Sequence, residues 1–288
     1  MIDRALARTP TSLTLERRLQ PERDPLLGQH RLNDVPILPF TFGCELMAEA
    51  AALFAPGYVV ERLEDVRVEI PVKFFRDGAV TLRVTVTLIE EGADTRVVEV
   101  ETRSDFVRND IVLQRDRLHH RARIVLRQAR RRSGLKIEIP ERPGLVKSHS
   151  LFQGAHDPVE LGPIYYNAAW IQTFEREVIG SVKVPPHREL FRDTSYPVFQ
   201  VDPLVLDTSF QIAANWDGHH NGVVSIPISV DRITIQEVRP ADRGARVRAA
   251  VVRVEDPDVI YDLVIAGEDG TAFTKVNGLR LRRVGSVG

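Results

Sequence analysis

The pattern of apolar positions predicts one helix in each half of this chain. From Phe40 to Phe54 apolar residues recur at helical spacing, and in the most apolar part, Cys44 to Phe54, only Glu45 and Glu49 interrupt them. A second apolar run, Leu206 to Trp216, predicts a shorter helix far downstream. Long stretches of alternating residues follow both helices, so the two halves share one order of elements.

Alternation of apolar and polar residues predicts antiparallel strands after each helix. The residues from Val66 to Phe74 and from Val80 to Leu88 alternate on either side of Arg76-Asp-Gly78, which is typical of a hairpin. Further strands are predicted at 97–102, 110–126, 226–238, 246–254, 259–266 and 272–283. Each half is therefore expected to bury its helix against the concave face of an antiparallel sheet, in an α+β fold.

Two breaker-rich stretches divide the chain. Arg130-Arg-Arg-Ser-Gly134 and Pro140-Glu-Arg-Pro-Gly144 interrupt the periodicity. We predict an N-terminal subdomain over 1–128, a linker over 129–150 and a C-terminal subdomain over 151–288. The two sheets are expected to pair edge to edge, so that the helices face one another.

Composition favours a soluble cytoplasmic protein. The chain has 288 residues, 43% of them hydrophobic, a net charge of −1 and a single cysteine, Cys44. No disulfide, multi-cysteine metal site, secretion signal or membrane span is expected. The charge balance does not indicate a nucleic-acid partner, although eight arginines lie between Arg115 and Arg132 and suit an acidic protein partner.

Two ionisable residues stand close to the predicted helix starts. His30 precedes the helix that Pro39 introduces, and Asp207 lies at the head of the second helix. A base and an acid near free helix N–H groups suit elimination of water next to a thioester carbonyl. The backbone N–H groups from Phe40 to Gly43 are candidate donors to the thioester oxygen, and Gly43 would let a ligand approach closely.

Several motifs resemble the dehydratase domains of polyketide synthases. The family's first signature places histidine, glycine and proline where this chain has His30, Asp34 and Pro39. Its second signature corresponds to Pro203, Leu206, Asp207 and Gln211. Supporting segments are Gly162-Pro-Ile-Tyr165, Ile226-Pro-Ile-Ser229 and Asn277-Gly-Leu-Arg-Leu281. The chain departs from the family's pattern at Asp34, in a glycine position, and at Asp202, where histidine is often found.

The resemblance implies a double hotdog fold, with two long central helices each wrapped by an antiparallel β-sheet. It also implies a hydro-lyase that dehydrates a β-hydroxyacyl thioester during polyketide biosynthesis, with His30 as base and Asp207 as acid. Substrate-positioning roles are expected for Gln211, Pro39, Gly43, Gly162 and Tyr165. No resident cofactor or metal is implied, because the substrate arrives on the phosphopantetheine arm of an acyl carrier protein. Neighbouring synthase domains and a second copy of the chain are further expected partners.

Other interpretations of these residues stay open. The same fold could carry a product-shaping or double-bond-shifting enzyme, or a scaffold without activity. Glu45 and Glu49 could serve a thioesterase, or could form a solvated or internally bonded helix face. The segment Asp217-Gly-His-His220 could hold a metal, although its glycine favours a loop. Arg130, Arg131 and Arg132 are candidates for binding the carrier protein.

Overall fold

The computed structural model describes residues 1–108, 111–128, 135–139, 145–147, 154–156, 158–183, 199–237 and 244–286. The helices are α1 (Pro25–Gly28), α2 (Phe40–Phe54) and α3 (Pro203–Asn221), with 3₁₀ turns at Phe75–Asp77 and Pro163–Tyr165. The strands up to residue 128 are β1 (Arg4–Arg8), β2 (Ser12–Leu19), β3 (His30–Leu32), β4 (Val35–Pro36), β5 (Tyr58–Val68), β6 (Val80–Glu91), β7 (Thr95–Arg108) and β8 (Ile111–Gln128). Those that follow are β9 (Leu145–Lys147), β10 (Gly154–His156), β11 (Val159–Leu161), β12 (Ala168–Thr173), β13 (Glu177–Val182), β14 (Val223–Ile235), β15 (Ala245–Glu255), β16 (Asp258–Gly267) and β17 (Ala272–Ser286).

Thirteen of these strands form one continuous sheet. Their order is β1-β2-β6-β7-β8-β5-β14-β17-β16-β15-β13-β12-β9, so strands of the N-terminal half occupy one side and strands of the C-terminal half the other. The halves join where β5 pairs antiparallel with β14, with Val66 opposite Val230 and Leu63 opposite Ile233. This junction confirms the predicted edge-to-edge pairing of the two sheets.

Each long helix is wrapped by its own part of the sheet. Helix α2 packs against β2, β5, β6, β7 and β8, and α3 packs against β12 to β16. The two helices also contact one another. Apolar residues on the concave faces of both parts and on both helices form one core. The predicted α+β double hotdog, with two central helices, is confirmed.

A buried carboxyl group ties the two helices together. Glu45 on α2 accepts hydrogen bonds from the backbone N–H groups of Gln200 (3.1 Å) and Val201 (2.6 Å), directly before α3. Burial raises the pKa of Glu45 well above its usual value, although these two bonds lower it. Glu45 is therefore internally bonded, and it fixes the approach to the helix that carries Asp207.

The predicted hairpin between 66–74 and 80–88 is wrong. Strand β5 begins at Tyr58 and ends at Val68, and it pairs with β8 and β14 rather than with β6. Beyond it Val72 and Phe74 are buried in an irregular segment, and Lys73 forms an isolated bridge with Ile37. Alternation indicated burial correctly there, but the partner strand was set by tertiary packing.

The segment Asp217 to His220 is helical, not a loop. Helix α3 continues to Asn221 and ends at Gly222, whose φ of 65° suits a helix C-terminus. Asp217 is fully buried and forms a bidentate ion pair with Arg283, at 2.9 Å for both contacts. Within the described ranges no cluster of three metal-ligating side chains occurs.

The predicted linker falls mostly outside the described residues. Residues 135–139 are described, and they lie against the C-terminal half: Lys136 bridges Thr271, and Ile137 N–H donates to Gly270 O (2.7 Å). Among the described helices, none is both long and apolar enough to cross a membrane.

Candidate active site

A second, four-stranded sheet positions His30. Its strand order is β10-β11-β3-β4, and His30, the first residue of β3, stands opposite Leu161 of β11. The His30 carbonyl also accepts the N–H of Ile37 (3.0 Å). The edge of the imidazole meets the ring of Tyr165, with centroids 5.2 Å apart. Residues from both halves of the chain thus hold His30, the candidate histidine that precedes α2.

Burial keeps the His30 imidazole neutral. The residue is partly exposed as a whole, but its Nδ1 is buried and has no hydrogen-bond partner among the described residues. Desolvation lowers the pKa of His30 to about 4, only partly offset by its own backbone carbonyl. At neutral pH the side chain therefore carries a free lone pair, as a base requires.

Asp207 lies in the second turn of α3. The helix begins at Pro203, and the carboxylate of Asp202 caps it by accepting the N–H groups of Leu204 and Val205, both at 3.1 Å. An aspartate suits this position because its short side chain reaches those N–H groups. The departure from the family's pattern at Asp202 thus supplies an effective N-cap.

Two neighbours hold the Asp207 carboxyl group. Gln211, one turn later, donates from Nε2 to Oδ2 of Asp207 (2.8 Å), and Thr41 of α2 donates to Oδ1 (3.5 Å). Gln211 Nε2 also donates to the carbonyl of Tyr165 (3.2 Å). Burial raises the pKa of Asp207 to about 6, against the lowering effect of the bonds from Gln211 and Thr41. The group can therefore hold a proton at mildly acidic pH, as an acid requires.

His30 and Asp207 line the same pocket. It contains about 810 Å³ of empty space, part of it open to solvent, and its walls are mostly apolar. Asp207, Gln211 and Ala214 all line it, and at 1.5 Å per residue they extend about 10 Å along α3. Gln211 Oε1 is buried there without a hydrogen-bond partner in the described part of the chain. The pocket thus brings a neutral imidazole, a carboxyl group with a raised pKa and a free amide oxygen together within mostly apolar walls.

The Gly162–Tyr165 segment packs behind His30. The N–H of Gly162 donates to the Gln29 carbonyl (2.8 Å), and a Cβ at Gly162 would lie 2.8 Å from Cβ of Gln29. The Tyr165 hydroxyl donates to the carbonyl of Leu26 (2.9 Å). Gly162 thus packs against Gln29, the residue before His30, and Tyr165 packs against the His30 ring. Neither of them lines the pocket.

Glycine at position 43 accommodates a histidine, not a ligand. A Cβ there would lie 2.9 Å from the ring of His120, which is buried and hydrogen-bonded to Thr102 (2.9 Å). The N–H of Gly43 already donates to the carbonyl of Pro39 (3.1 Å). The space at Gly43 that we expected a substrate to use is therefore filled by the ring of His120. Pro39 is the N-cap residue of α2.

Asp34 adopts the conformation that favours glycine. Its φ is 61°, and that of the preceding Asn33 is 50°. Aspartate and asparagine tolerate this left-handed region better than most residues. Asn33 and Asp34 can therefore form the turn between β3 and β4 without a glycine.

Two residues of the site were not predicted from the sequence. Thr41 donates a hydrogen bond to Asp207, and Gln29 accepts hydrogen bonds from the backbone N–H groups of Gly162 and Ile164. Both act across elements that are far apart in the chain, so no spacing rule could indicate them. Arg130, Arg131 and Arg132, the candidate partner-binding residues, lie outside the described residues.

Two models of one protein family match this chain. Residues 133–288 match the "Polyketide synthase dehydratase N-terminal domain", and residues 1–103 match the "Polyketide synthase dehydratase domain". Together with the double hotdog fold, these matches show that the chain belongs to the polyketide synthase dehydratase family.

Solved structures share this fold at low identity. The dehydratase domain from the CurF module of curacin polyketide synthase is 17% identical, with a TM-score of 0.76 and 98% of each chain covered. The dehydratase domain of RzxB from Pseudomonas fluorescens is 14% identical, with a TM-score of 0.74 and 98% of each covered. A trans-acyltransferase polyketide synthase enoyl-isomerase is 11% identical, with a TM-score of 0.72, and covers 93% of this chain and 98% of its own. No curated protein sequence matches the chain significantly.

Proposed function

We propose that this chain dehydrates a β-hydroxyacyl thioester, carried by an acyl carrier protein, to an α,β-enoyl thioester. The observation that carries the proposal is the shared pocket, because it holds a neutral imidazole and a carboxyl group with a raised pKa. An enzyme that eliminates water needs both, one to accept the α-proton and one to protonate the leaving hydroxyl.

In the proposed mechanism the His30 imidazole accepts the proton from the α-carbon. The electron pair of that C–H bond forms the new double bond as the bond between the β-carbon and oxygen breaks. Asp207 gives its proton to the departing hydroxyl, which leaves as water. The site then holds an imidazolium and a carboxylate.

The two pKa values favour return to the starting state. Imidazolium at His30 has a pKa of about 4 and the Asp207 carboxyl a pKa of about 6, so the proton moves back from histidine to aspartate. Two pKa units correspond to about 3 kcal/mol in favour of the neutral pair. Between about pH 4 and pH 6 the free protein thus rests in the protonation state that the next elimination requires.

Other groups in the site have supporting roles. Gln211 orients Asp207, and its free Oε1 can accept a hydrogen bond from the substrate. The N–H groups of Phe42 and Gly43 already donate hydrogen bonds to the carbonyl of Pro39. We therefore assign the hydrogen bonds to the thioester oxygen to the N–H groups of Phe40 and Thr41, at the start of α2. The apolar walls exclude water and suit a hydrocarbon chain.

The direct test is incubation of the protein with a synthetic β-hydroxyacyl thioester, followed by mass spectrometry. Loss of one water molecule supports dehydration. The structural similarity to an enoyl-isomerase makes double-bond migration the second candidate. An enoyl thioester incubated in deuterated water distinguishes the two, because an isomerase converts it to a β,γ-unsaturated product with deuterium incorporated. Migration without dehydration would overturn the proposal.

A further inference from the structure

A serine and a histidine that the proposed reaction does not use form a hydrogen-bonded pair on β7 and β8. The Oγ of Ser104 lies 2.7 Å from Nε2 of His119. The other ring nitrogen of His119, Nδ1, lies 2.8 Å from the carbonyl oxygen of Ile70. Two hydrogen bonds thus connect a hydroxyl, an imidazole and a group that orients the imidazole, which is the arrangement of an activated nucleophile.

These hydrogen bonds determine which nitrogen of His119 carries the proton. A carbonyl oxygen only accepts, so Nδ1 is the protonated nitrogen, and Nε2 of the neutral ring accepts from the Ser104 hydroxyl. Burial lowers the pKa of His119; the bond to Ile70 opposes this effect and the charge of Arg117 adds to it. The ring is therefore neutral at neutral pH, with its lone pair directed at the serine proton.

A shift in strand register brings His119 to the serine. Thr102 of β7 stands opposite His120, whereas the next residue of β7 stands opposite Leu118. His119 therefore has no partner in the ladder between β7 and β8, as in a β-bulge. Thr102 and Ser104 lie on one face of β7, and the two consecutive histidines bond to their hydroxyls. A bulge re-aims side chains in this way, and bulges are over-represented beside active sites.

Access to a groove distinguishes this pair from its neighbour. Thr102 and His120 make the same kind of contact, at 2.9 Å, but Thr102 is completely buried and neither of them lines the groove. Ser104 is 7% exposed, and both Ser104 and His119 line a groove with about 1790 Å³ of empty space, much of it open to solvent. Of the two hydroxyls, that of Ser104 therefore borders a space that a ligand can enter.

The walls of this groove suit an apolar acyl group. The rings of Phe75 and Phe106 meet edge-on, with centroids 6.2 Å apart, and line the groove together with Val107. The guanidinium of Arg117 lies over the Phe106 ring, 4.4 Å from its centroid, and its charge acts on the ring of His119. This cation can stabilise negative charge that develops beside the imidazole.

We propose that the groove is a second catalytic site, in which Ser104 is the nucleophile and His119 its base, for esters or thioesters of an apolar acyl group. This activity is independent of dehydration. Ser104 Oγ bonds to the carbonyl carbon as His119 Nε2 takes the hydroxyl proton, and the carbonyl oxygen gains a negative charge that Arg117 stabilises. The bond to the leaving oxygen or sulfur then breaks, and the imidazolium gives its proton to the departing alcohol or thiol.

Water completes the cycle. His119 Nε2 takes a proton from a water molecule whose oxygen bonds to the acyl carbon. The bond from that carbon to Ser104 Oγ then breaks, and the imidazolium returns its proton to Oγ. The products are a carboxylic acid and an alcohol or thiol, and both residues regain their starting state.

The first test labels the unmodified protein, so it requires no variant to fold. An alkyl fluorophosphonate reacts with activated serines by loss of fluoride, and peptide mass spectrometry locates the adduct. We expect one adduct per chain, on Ser104. Ser12 is the internal control, because it is more exposed than Ser104 but bonds to Thr9 rather than to a histidine. Labelling of Ser12 and not Ser104, or of neither, would overturn the proposal.

Hydrolysis of p-nitrophenyl butyrate, which has an apolar acyl group, measures turnover. Ser104→Ala and His119→Gln should each lower kcat/KM for this ester about 10²-fold. Ser12→Ala is the matched control and should leave it unchanged. Hydrolysis that is unaffected by Ser104→Ala would overturn the proposal.

A cysteine variant tests the base without turnover. In Ser104→Cys the imidazole takes the thiol proton, so iodoacetamide should alkylate the new thiol roughly tenfold faster than in the double variant Ser104→Cys/His119→Gln. The native Cys44 is buried, and burial raises its pKa, so it stays unreactive while the protein is folded. Equal alkylation rates at position 104 with and without His119 would show that this histidine is not the base.

Discussion

Gln211 Nε2 lies 2.8 Å from Oδ2 of Asp207 and donates a hydrogen bond to it. This bond stabilises the ionised carboxylate, so it lowers the pKa of Asp207 against the raising effect of burial. The glutamine therefore limits how far the pKa of Asp207 rises, besides fixing where the carboxyl oxygen atoms point.

Replacing that glutamine should move the alkaline limb of the pH–rate profile. In Gln211→Leu the carboxylate loses a donor, the pKa of Asp207 rises further, and the protonated acid persists to higher pH. We expect the alkaline limb of kcat/KM to shift upward while kcat falls, because the carboxyl group is less well oriented. Gln114→Leu, which changes an exposed glutamine on β8, is the control and should leave the limb in place. An unmoved limb in Gln211→Leu would contradict this role.

The unmodified protein should show a bell-shaped dependence of kcat/KM on pH. Neutral His30 is required, so activity should fall as pH drops through about 4. Protonated Asp207 is required, so activity should fall as pH rises through about 6. The maximum is then expected at about pH 5, midway between the limbs. A profile that rises from pH 6 to pH 8 on a free thioester would rule out Asp207 as the acid.

Asp207 should also weaken the fold at alkaline pH. Its pKa of about 6 in the folded protein exceeds the ordinary value of 3.8, so the folded state favours the protonated form. This preference stabilises the fold fully below pH 3.8, and the stabilisation is lost as pH rises through 6. The free energy of unfolding falls by up to about 3 kcal/mol over that range. Asp207→Asn should therefore unfold at higher denaturant concentration than the wild type at pH 8, and at a similar concentration at pH 4. A variant that is less stable at pH 8 would contradict this linkage.

The contact between Gly43 and His120 predicts a stability effect without a catalytic one. In Gly43→Ala the new methyl group meets a buried imidazole at 2.9 Å, which should destabilise the fold by roughly 1–3 kcal/mol. In a His120→Ala background the same change should cost much less. Denaturant titration of the four proteins in this cycle gives the coupling directly. Additive effects would show that the ring is not what requires glycine.

Much of this architecture can be predicted from sequence because it depends on local pattern. Helix α2 occupies the residues that the apolar periodicity indicates, and β6 follows the alternation from Val80. The environment of His30 cannot be predicted in this way, because β3 pairs with β11 from the other half of the chain. The same limit applies to Gly43, where a single residue cannot reveal whether a ligand or His120 approaches.

The central claim is that His30 acts as the base and Asp207 as the acid, and the choice of leaving group separates these roles. A β-acetoxyacyl thioester loses acetate, which departs without prior protonation. Asp207→Asn should therefore lose roughly 10²–10⁴-fold in kcat on the β-hydroxyacyl thioester but retain nearly full activity on the β-acetoxyacyl thioester. His30→Ala should lose activity on both substrates, because α-proton removal is common to them. Equal losses for Asp207→Asn on the two substrates, or normal turnover by His30→Ala on either one, would contradict the account.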